Sequence, residues 1–527
     1  MQWIIHQHPK SGLCLVQYFI DSDAVPYIIS AAWLSHIDEL YSFYALHPQK
    51  VFATVTDGFW SYKQGNDMKI LLSEHMEHTR YVFFALFGSV VLLNSPAVEA
   101  LPSFARQTGE ACSSCHTQAF GPNLTPFGRN FKLNGYTTGG GKGINSKLPA
   151  LSGMAQGSFT NTQKDQTVQS PSQPDGALRP GYNKNNNFTF DQASLFYAGR
   201  IYGKVGAFSQ LTYNGYQDKL EMDNTDIRFA DQFDLGDMPI TYGISLNNNP
   251  TVQDLWNTTP VWGFPFTASG VQPNVGATAL IEGTLAAQAG GATAYTMINN
   301  LLYLEAGAYG SFSSNFQKGF GIAGPDRVSL DGPAPYWRAV LQHDWKGHFF
   351  SLGHYGMRAD VVPGRDKTFG ANRYTDVAMD AMYQYMANPE HIFEVKTTYI
   401  YEDQNLMANR GATSDTSTGN TYLATYKLNL TYTFDQTYGI IFAYNKINGS
   451  HSPVFDDANN IIAQTRPNSE FYTVELVYVP FGKSTSYLNP WLNLRTSLKY
   501  IGYSQANGVS TDAQANNTFM LNGWVAF

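Results

Sequence analysis

The sequence predicts an all-β fold: a transmembrane outer-membrane β-barrel of about 16 antiparallel strands, with a short N-terminal segment seated in or at the barrel. Three observations predict it. The first is composition. Of 527 residues, 43% are hydrophobic and 14% aromatic, yet only 14% are charged, where soluble domains average nearer ~25% charged. Thirty-four Phe, 33 Tyr and 9 Trp accompany 47 Gly, and the mean hydropathy is −0.26. Membrane helices need repeated apolar stretches of roughly 20 residues, and none follows residue 100. A net charge of −8 with so many aromatics also excludes a disordered or nucleic-acid-binding chain.

The second observation is strict alternation. In Tyr426-Lys427-Leu428-Asn429-Leu430-Thr431-Tyr432-Thr433-Phe434 every second residue is apolar or aromatic, the period of a strand with two unlike faces. After the short turn Asp435-Gln436-Thr437 another strand begins at Tyr438. The pattern recurs from Phe393 to Tyr399 and from Leu492 to Tyr500. A soluble sandwich alternates too, but these strands are long, end in Tyr and Phe, and follow an export signal; those are marks of a barrel with aromatic girdles and a polar interior. The third observation is the last strand. Phe519, Leu521, Gly523, Val525 and Phe527 share one face and the chain ends on the aromatic, as in the signal for outer-membrane assembly. The residues from 188 to 527 have room for roughly 14 to 18 strands, an even number being usual.

Residues 1–67 precede Met68 and read as an over-extended start, the rival being a genuine extension. Residues 68–100 read as a signal peptide: Arg80, then the 13-residue apolar run 81–93, then a small-residue cleavage site ending at Ala100. The run is short for a bilayer-spanning anchor. Cleavage removes 5 Lys/Arg and 9 Asp/Glu, leaving 28 against 32, a net charge of −4. It also removes Cys14, so the exported chain keeps only Cys112 and Cys115.

Those two lie in Cys112-Ser113-Ser114-Cys115-His116, the CxxCH spacing of covalent c-type haem attachment. Two thiols one turn apart add to the vinyl groups, and the adjoining imidazole of His116 serves as proximal iron ligand. A zinc site lacks a second ligand pair, and a thioredoxin-like pair lacks its βαβ surroundings. The haem segment runs from 101 to 149, followed by a Gly/Asn/Ser-rich linker over 150–187 and the barrel over 188–527. So small a segment buries little core, so the rest of the chain must complete the pocket. For the sixth iron position Met154 is nearest in sequence; His343, His348, His354 and His391 lie in or beside strands, and an open or water-filled position is the alternative. Arg106, Arg129 and Lys132 are candidate partners of the haem propionates. Asp456, Asp457 and His451 share a polar stretch, to which no iron ligand is assigned.

Ala100-Leu101-Pro102-Ser103-Phe104-Ala105-Arg106-Gln107-Thr108, then Cys112–His116, then Phe127-Gly128-Arg129-Asn130-Phe131-Lys132-Leu133-Asn134-Gly135-Tyr136 resembles the fused monohaem cytochrome–porins of iron-oxidising bacteria. The motif block covers about 37 residues. Tyr242–Pro250 and Trp256–Phe266 also look similar, while residues 1–67 do not fit the family pattern. The resemblance implies an Fe(II):cytochrome c oxidoreductase in the outer membrane. Extracellular Fe(II) would be the donor, a single haem c on Cys112, Cys115 and His116 the relay, and a periplasmic c-type cytochrome the acceptor. The other expectations from the sequence are a porin or transport channel with a structural or sensory haem plug, or a conduit for a donor other than iron.

Overall fold

A computed structural model describes residues 102–139, 150–165, 182–183, 185–322, 327–413, 419–450, 466–489 and 491–527, together with the backbone of six short strands between residues 2 and 71. Those six form two three-stranded antiparallel sheets in a first unit, Met1–Pro96. The apolar run 81–93, the cleavage site after Ala100, and Asp456, Asp457 and His451 lie outside the described residues.

The second unit is a closed barrel of 16 long antiparallel strands. In chain order they are β1 Leu151–Thr162, β2 Asn187–Tyr202, β3 Val205–Asn214, β4 Lys219–Leu235, β5 Met238–Asn247, β6 Ala289–Ile298, β7 Leu302–Ser311 and β8 Ala334–Trp345. Then follow β9 His348–Val362, β10 Asn372–Asn388, β11 His391–Asn405, β12 Thr421–Phe434, β13 Tyr438–Gly449, β14 Ser469–Tyr478, β15 Asn493–Gln505 and β16 Thr518–Ala526. A two-residue strand, Ser329–Leu330, adds to the edge of β9. β16 pairs back onto β1 with Ala526 opposite Met154, and Phe527 exchanges backbone hydrogen bonds with Gly153. Closure leaves no unpaired strand edge, which is what a sheet in lipid requires.

The barrel is apolar outside and polar inside. On β12 the outer row is Tyr422, Ala424, Tyr426, Leu428, Leu430, Tyr432 and Phe434, with Tyr422 and Phe434 exposed at its two ends. The alternate residues Thr425, Asn429, Thr431 and Thr433 are buried. On β16 the same holds: Phe519 and Leu521 face out while Thr518 and Asn522 are buried. A soluble barrel would bury the other row, so the exposed apolar belt is a lipid-facing one. Aromatic pairs gather at its margins, for example Tyr401 with Tyr422 at one end and Tyr438 with Tyr478 at the other.

The two ends differ. Two-residue turns join β2 to β3, β4 to β5, β8 to β9 and β10 to β11 at one end, while the other end carries the connections 163–186, 248–288, 312–333 and 450–468. Asn299 and Asn300, both at positive φ, turn the β6–β7 hairpin at the short-turn end, the conformation tight hairpins favour.

One boundary moves. The linker expected over 150–187 contains β1, so the barrel starts at Leu151 rather than 188. The outer row of β1 includes Ala155 and Gly157, residues too small to signal a lipid-facing row, and alternation is muted there.

Candidate functional site

Three short helices carry the CxxCH segment: α1 Pro102–Thr108, α2 Cys112–Cys115 and α3 Pro126–Leu133. The single turn α2 closes with the His116 N–H donating to the Cys112 carbonyl at 2.9 Å. α3 begins where Pro126 supplies a preset φ and Thr125 caps it, its hydroxyl accepting from the Gly128 N–H at 3.2 Å. Phe104 packs edge-on to Phe131 at 4.9 Å and stacks on Tyr136 at 5.5 Å, joining α1 to α3. Gly128 lets α3 approach the CxxC turn: a Cβ there would lie 2.4 Å from the Cys115 carbonyl oxygen. Gly128→Ala is therefore expected to cost about 1–3 kcal/mol by overpacking, read as a lower urea midpoint for refolding in lipid.

The segment is held from every side. Lys396 on β11 donates to the Asn123 side chain at 2.8 Å, and Asn493 on β15 to the Ala119 carbonyl at 2.7 Å. Arg129 reaches Gln384 on β10 at 2.6 Å, Tyr136 reaches Asp226 on β4 at 2.6 Å, and Tyr295 on β6 donates to the Leu133 carbonyl at 2.8 Å. Thr117 donates to Glu394 on β11. Strands from around the ring contribute partners, so the segment lies within the lumen. It sits towards the short-turn end, where Gln436 in the β12–β13 turn donates to the Ser113 carbonyl at 2.9 Å.

From the opposite end the 248–288 connection folds inward. Trp256 is fully buried, and Asp254 accepts from the backbone N–H groups of Trp256, Thr258 and Thr259. Burial raises the Asp254 carboxyl, but Arg338 and Lys132 outweigh it and hold the carboxyl below its ordinary range. The connection meets the CxxCH segment directly: Asn257 donates to the Pro122 carbonyl at 2.7 Å, and Trp262 lies under the Lys132 ammonium at 4.7 Å.

Between them lies a cavity of about 320 Å³. Cys112, Cys115 and His116 line it, with Phe104, Phe120, Leu124 and Phe131 from the same segment. Trp262 and Phe266 come from the infolded connection; Met154, Phe196 and Trp524 come from the barrel wall. Burial pulls the His116 imidazole down to about 4, against the opposing pull of the Asn123 and Gly121 carbonyls. The ring is thus neutral, the form that ligates metals, and its Nδ1 is buried without a hydrogen-bond partner. Burial pushes both thiols up, Cys115 to about 12 with Cys112 and Glu110 adding to it. A catalytic dithiol needs the opposite shift, so the buried pair is unsuited to thiol–disulfide exchange. Both cysteines are free. Two thiols, a neutral imidazole and a largely apolar wall with several aromatic rings fit a covalently held haem. Among the described residues no three His, Cys, Asp or Glu converge as a metal-binding group.

The expected propionate partners are spread apart. Lys132 lines the cavity, but its ammonium already donates to the Val252 carbonyl at 3.0 Å, the Asp254 carbonyl at 2.5 Å and the Asn257 side chain at 3.0 Å. Burial lowers it to about 7, an effect first of desolvation and then of Arg228. Arg129 lies off the cavity wall, donating to the Leu124 carbonyl and to Gln384, with its guanidinium 3.7 Å above the Phe349 ring. Arg106, also off the wall, donates to the Leu151 carbonyl at 2.5 Å. The barrel wall instead contributes amides, Gln156, Gln192, Gln210 and Asn493, legible only once the inward register of β1, β2, β3 and β15 is fixed.

Of the residues considered for the sixth position, Met154 lines the cavity. The histidines do not. His354 accepts from the Trp337 indole on the outer surface, His391 pairs with Tyr432, and His343 and His348 stack on either side of Trp345.

No protein-family model and no curated protein matches the chain. Solved structures with a similar fold include OprB of Pseudomonas putida, at 14% identity and TM-score 0.43, covering 71% of this chain and 93% of that one. An anion-selective porin from Comamonas acidovorans matches at 14% identity and TM-score 0.38, covering 72% and 98%. The outer-membrane channel DcaP of Acinetobacter baumannii matches at 10% identity and TM-score 0.41, covering 72% and 96%.

Proposed function

We propose that this chain is an outer-membrane electron-transfer protein that oxidises extracellular Fe(II) and delivers the electron to a periplasmic c-type cytochrome. One covalent haem c, which Cys112 and Cys115 would tether and His116 would ligate, would serve it. The observation that carries the reading is the position of the CxxCH segment, inside the lumen of a membrane barrel and beside an apolar cavity. Haem iron, when bound, supplies reversible one-electron redox chemistry.

The chain's own residues do the rest. The two cysteines tether and His116, kept neutral by burial, offers a nitrogen lone pair. Phe104, Phe120 and Phe131 exclude water. The barrel spans an apolar band about 25 Å tall, and the infolded connection and the CxxCH segment approach each other within it from the two ends. By the usual orientation of such barrels, the short turns are periplasmic and the long connections extracellular. Fe(II) as donor rests on the family resemblance of the CxxCH block.

A second reading, a solute channel with a haem plug, is favoured by strand number: barrels of 16 strands leave an aqueous pore when nothing fills them. Stopped-flow absorbance on haem-loaded protein in detergent, mixed anaerobically with Fe(II), separates the two. Rapid appearance of ferrocytochrome bands, lost in His116→Ala, is the expected outcome. Cys112→Ala with Cys115→Ala is expected to abolish covalent haem staining altogether. A haem that stays ferric with Fe(II) but accepts electrons from another donor would remove iron as the substrate.

A further inference from the structure

We propose that Met154 supplies the second axial ligand to a haem held at His116, and that the Trp524 indole N–H positions its sulfur. The inference rests on the haem reading above and concerns which atom fills the remaining iron position. Cytochromes c use Met, His or an open position there, and the choice governs the reduction potential.

The cavity wall narrows the choice. Besides His116 and the two tethering cysteines, the groups on it with iron-ligating chemistry are Met154, Lys132, Tyr136 and Glu110. Glu110 is solvent-exposed, two residues before Cys112, with its carboxylate turned back to accept from the Ser114 hydroxyl at 2.9 Å. The Lys132 ammonium is committed to three acceptors, and the Tyr136 hydroxyl donates to Asp226 at 2.6 Å. Both would have to break buried hydrogen bonds to ligate, leaving their partners unsatisfied at a cost of about 1–3 kcal/mol or more each. Met154 breaks nothing. It points inward from β1, is 4% exposed, and sits at the barrel's closing seam opposite Ala526.

Its Sδ lies 3.1 Å from Trp524 Nε1. Indole N–H is a donor only, so the bond fixes the sulfur as acceptor through one lone pair. A thioether carries two, and the second is free for a soft metal bond. Trp524 is itself held edge-on against Phe120, ring centroids 4.7 Å apart, within the CxxCH segment. The segment that carries His116 therefore also braces the residue that orients Met154. Withdrawal of density from the sulfur by the N–H adds to the high potential that a Met ligand gives, as an acceptor for electrons from Fe(II) requires.

The test is the ferric absorption spectrum of the full-length haem-loaded protein, with redox titration alongside. Wild type is expected to display the weak long-wavelength sulfur-to-iron charge-transfer band of a Met-ligated haem. Met154→Leu, which conserves volume and leaves the barrel wall intact, is expected to lose that band and lower the midpoint potential. Trp524→Phe is expected to keep the band and lower the potential by less. A wild-type haem without the band, or a band that survives in Met154→Leu, would overturn the ligand assignment while leaving the haem reading standing. An unchanged potential in Trp524→Phe would remove the role of the indole. Absence of any covalent haem would overturn the haem reading, and the ligand with it.

Discussion

Replacing Arg338 with alanine is expected to cost about 3–5 kcal/mol, because it strands buried charges rather than merely deleting a contact. Arg338 on β8 donates from Nη2 to Asp254 at 3.1 Å and to Asp380 on β10 at 2.8 Å, with all three side chains shielded from solvent. Its guanidinium also lies 5.3 Å from the Trp256 ring and 5.0 Å from the Tyr355 ring. It is thus the tie between the infolded connection and two strands of the wall. Without it two buried carboxylates share a site with no counter-charge between them. The pH dependence follows from Asp254. Its carboxyl is held below the ordinary value, so its stabilising contribution is present above the unfolded-state value and is lost as pH falls through the lower folded-state one. In Arg338→Ala, burial is opposed only by Lys132 and the backbone donors, and the carboxyl protonates at higher pH than in wild type. The deficit against wild type is therefore greatest near neutrality and shrinks in acid, as the Asp254 carboxyl becomes neutral. Urea midpoints for refolding in lipid at pH 7 and pH 3 measure this. Arg338→Met combined with Asp380→Leu should recover most of the loss, since Asp254 keeps three backbone donors. An equal deficit at both pH values would mean that packing, not charge, is what Arg338 supplies.

The barrel was legible because each strand must satisfy two solvents, and the chain writes that as alternation. Tyr426 to Phe434 and Phe519 to Phe527 face as their periods imply, and 16 long strands close the ring. The start at Leu151 was hidden because Ala155 and Gly157 occupy lipid-facing positions with almost no side chain. Cys112, Cys115 and His116 were legible because their chemistry is local, five consecutive residues. The rest of the site is not local. Gln384 lies 255 residues from Arg129 and Asn493 374 residues from Ala119, and no spacing rule links such positions. Arg106, Arg129 and Lys132 were recognisable as cations of the segment, but what each touches is decided by carbonyls and amides that only the closed barrel delivers. The infolding of 248–288 leaves the faintest mark of all, two tryptophans, Trp256 and Trp262, among polar and small residues of a connection that reads as an ordinary long loop.

That infolding carries the second large expected effect, on conductance. In planar bilayers the intact protein is expected to pass far less current than an open barrel of its strand number, because its inward-facing polar residues are covered. Arg228, Gln384, Glu475 and Arg495 all point into the lumen and are fully buried, which in a water-filled pore they would not be. Two bodies cover them, the CxxCH segment from the short-turn end and the connection with Trp256 and Ile281 from the other. Asn247 on β5 is register partner to Gly291 on β6, so the two strands stand side by side where the connection leaves and returns. Replacing residues 250–286 with a short Gly-Ser bridge therefore keeps the ring closed, at a modest cost in loop entropy. It removes one of the two plugs, and conductance should rise on the order of tenfold towards that of an aqueous 16-stranded pore. Because the CxxCH segment retains its ties to Gln384, Asp226, Lys396 and Asn493, covalent haem staining should persist in the same variant. A wild-type protein that already conducts like an open porin would instead favour solute passage, with the CxxCH segment as a loosely held gate. A shortened variant that stays closed would assign the seal to the CxxCH segment alone.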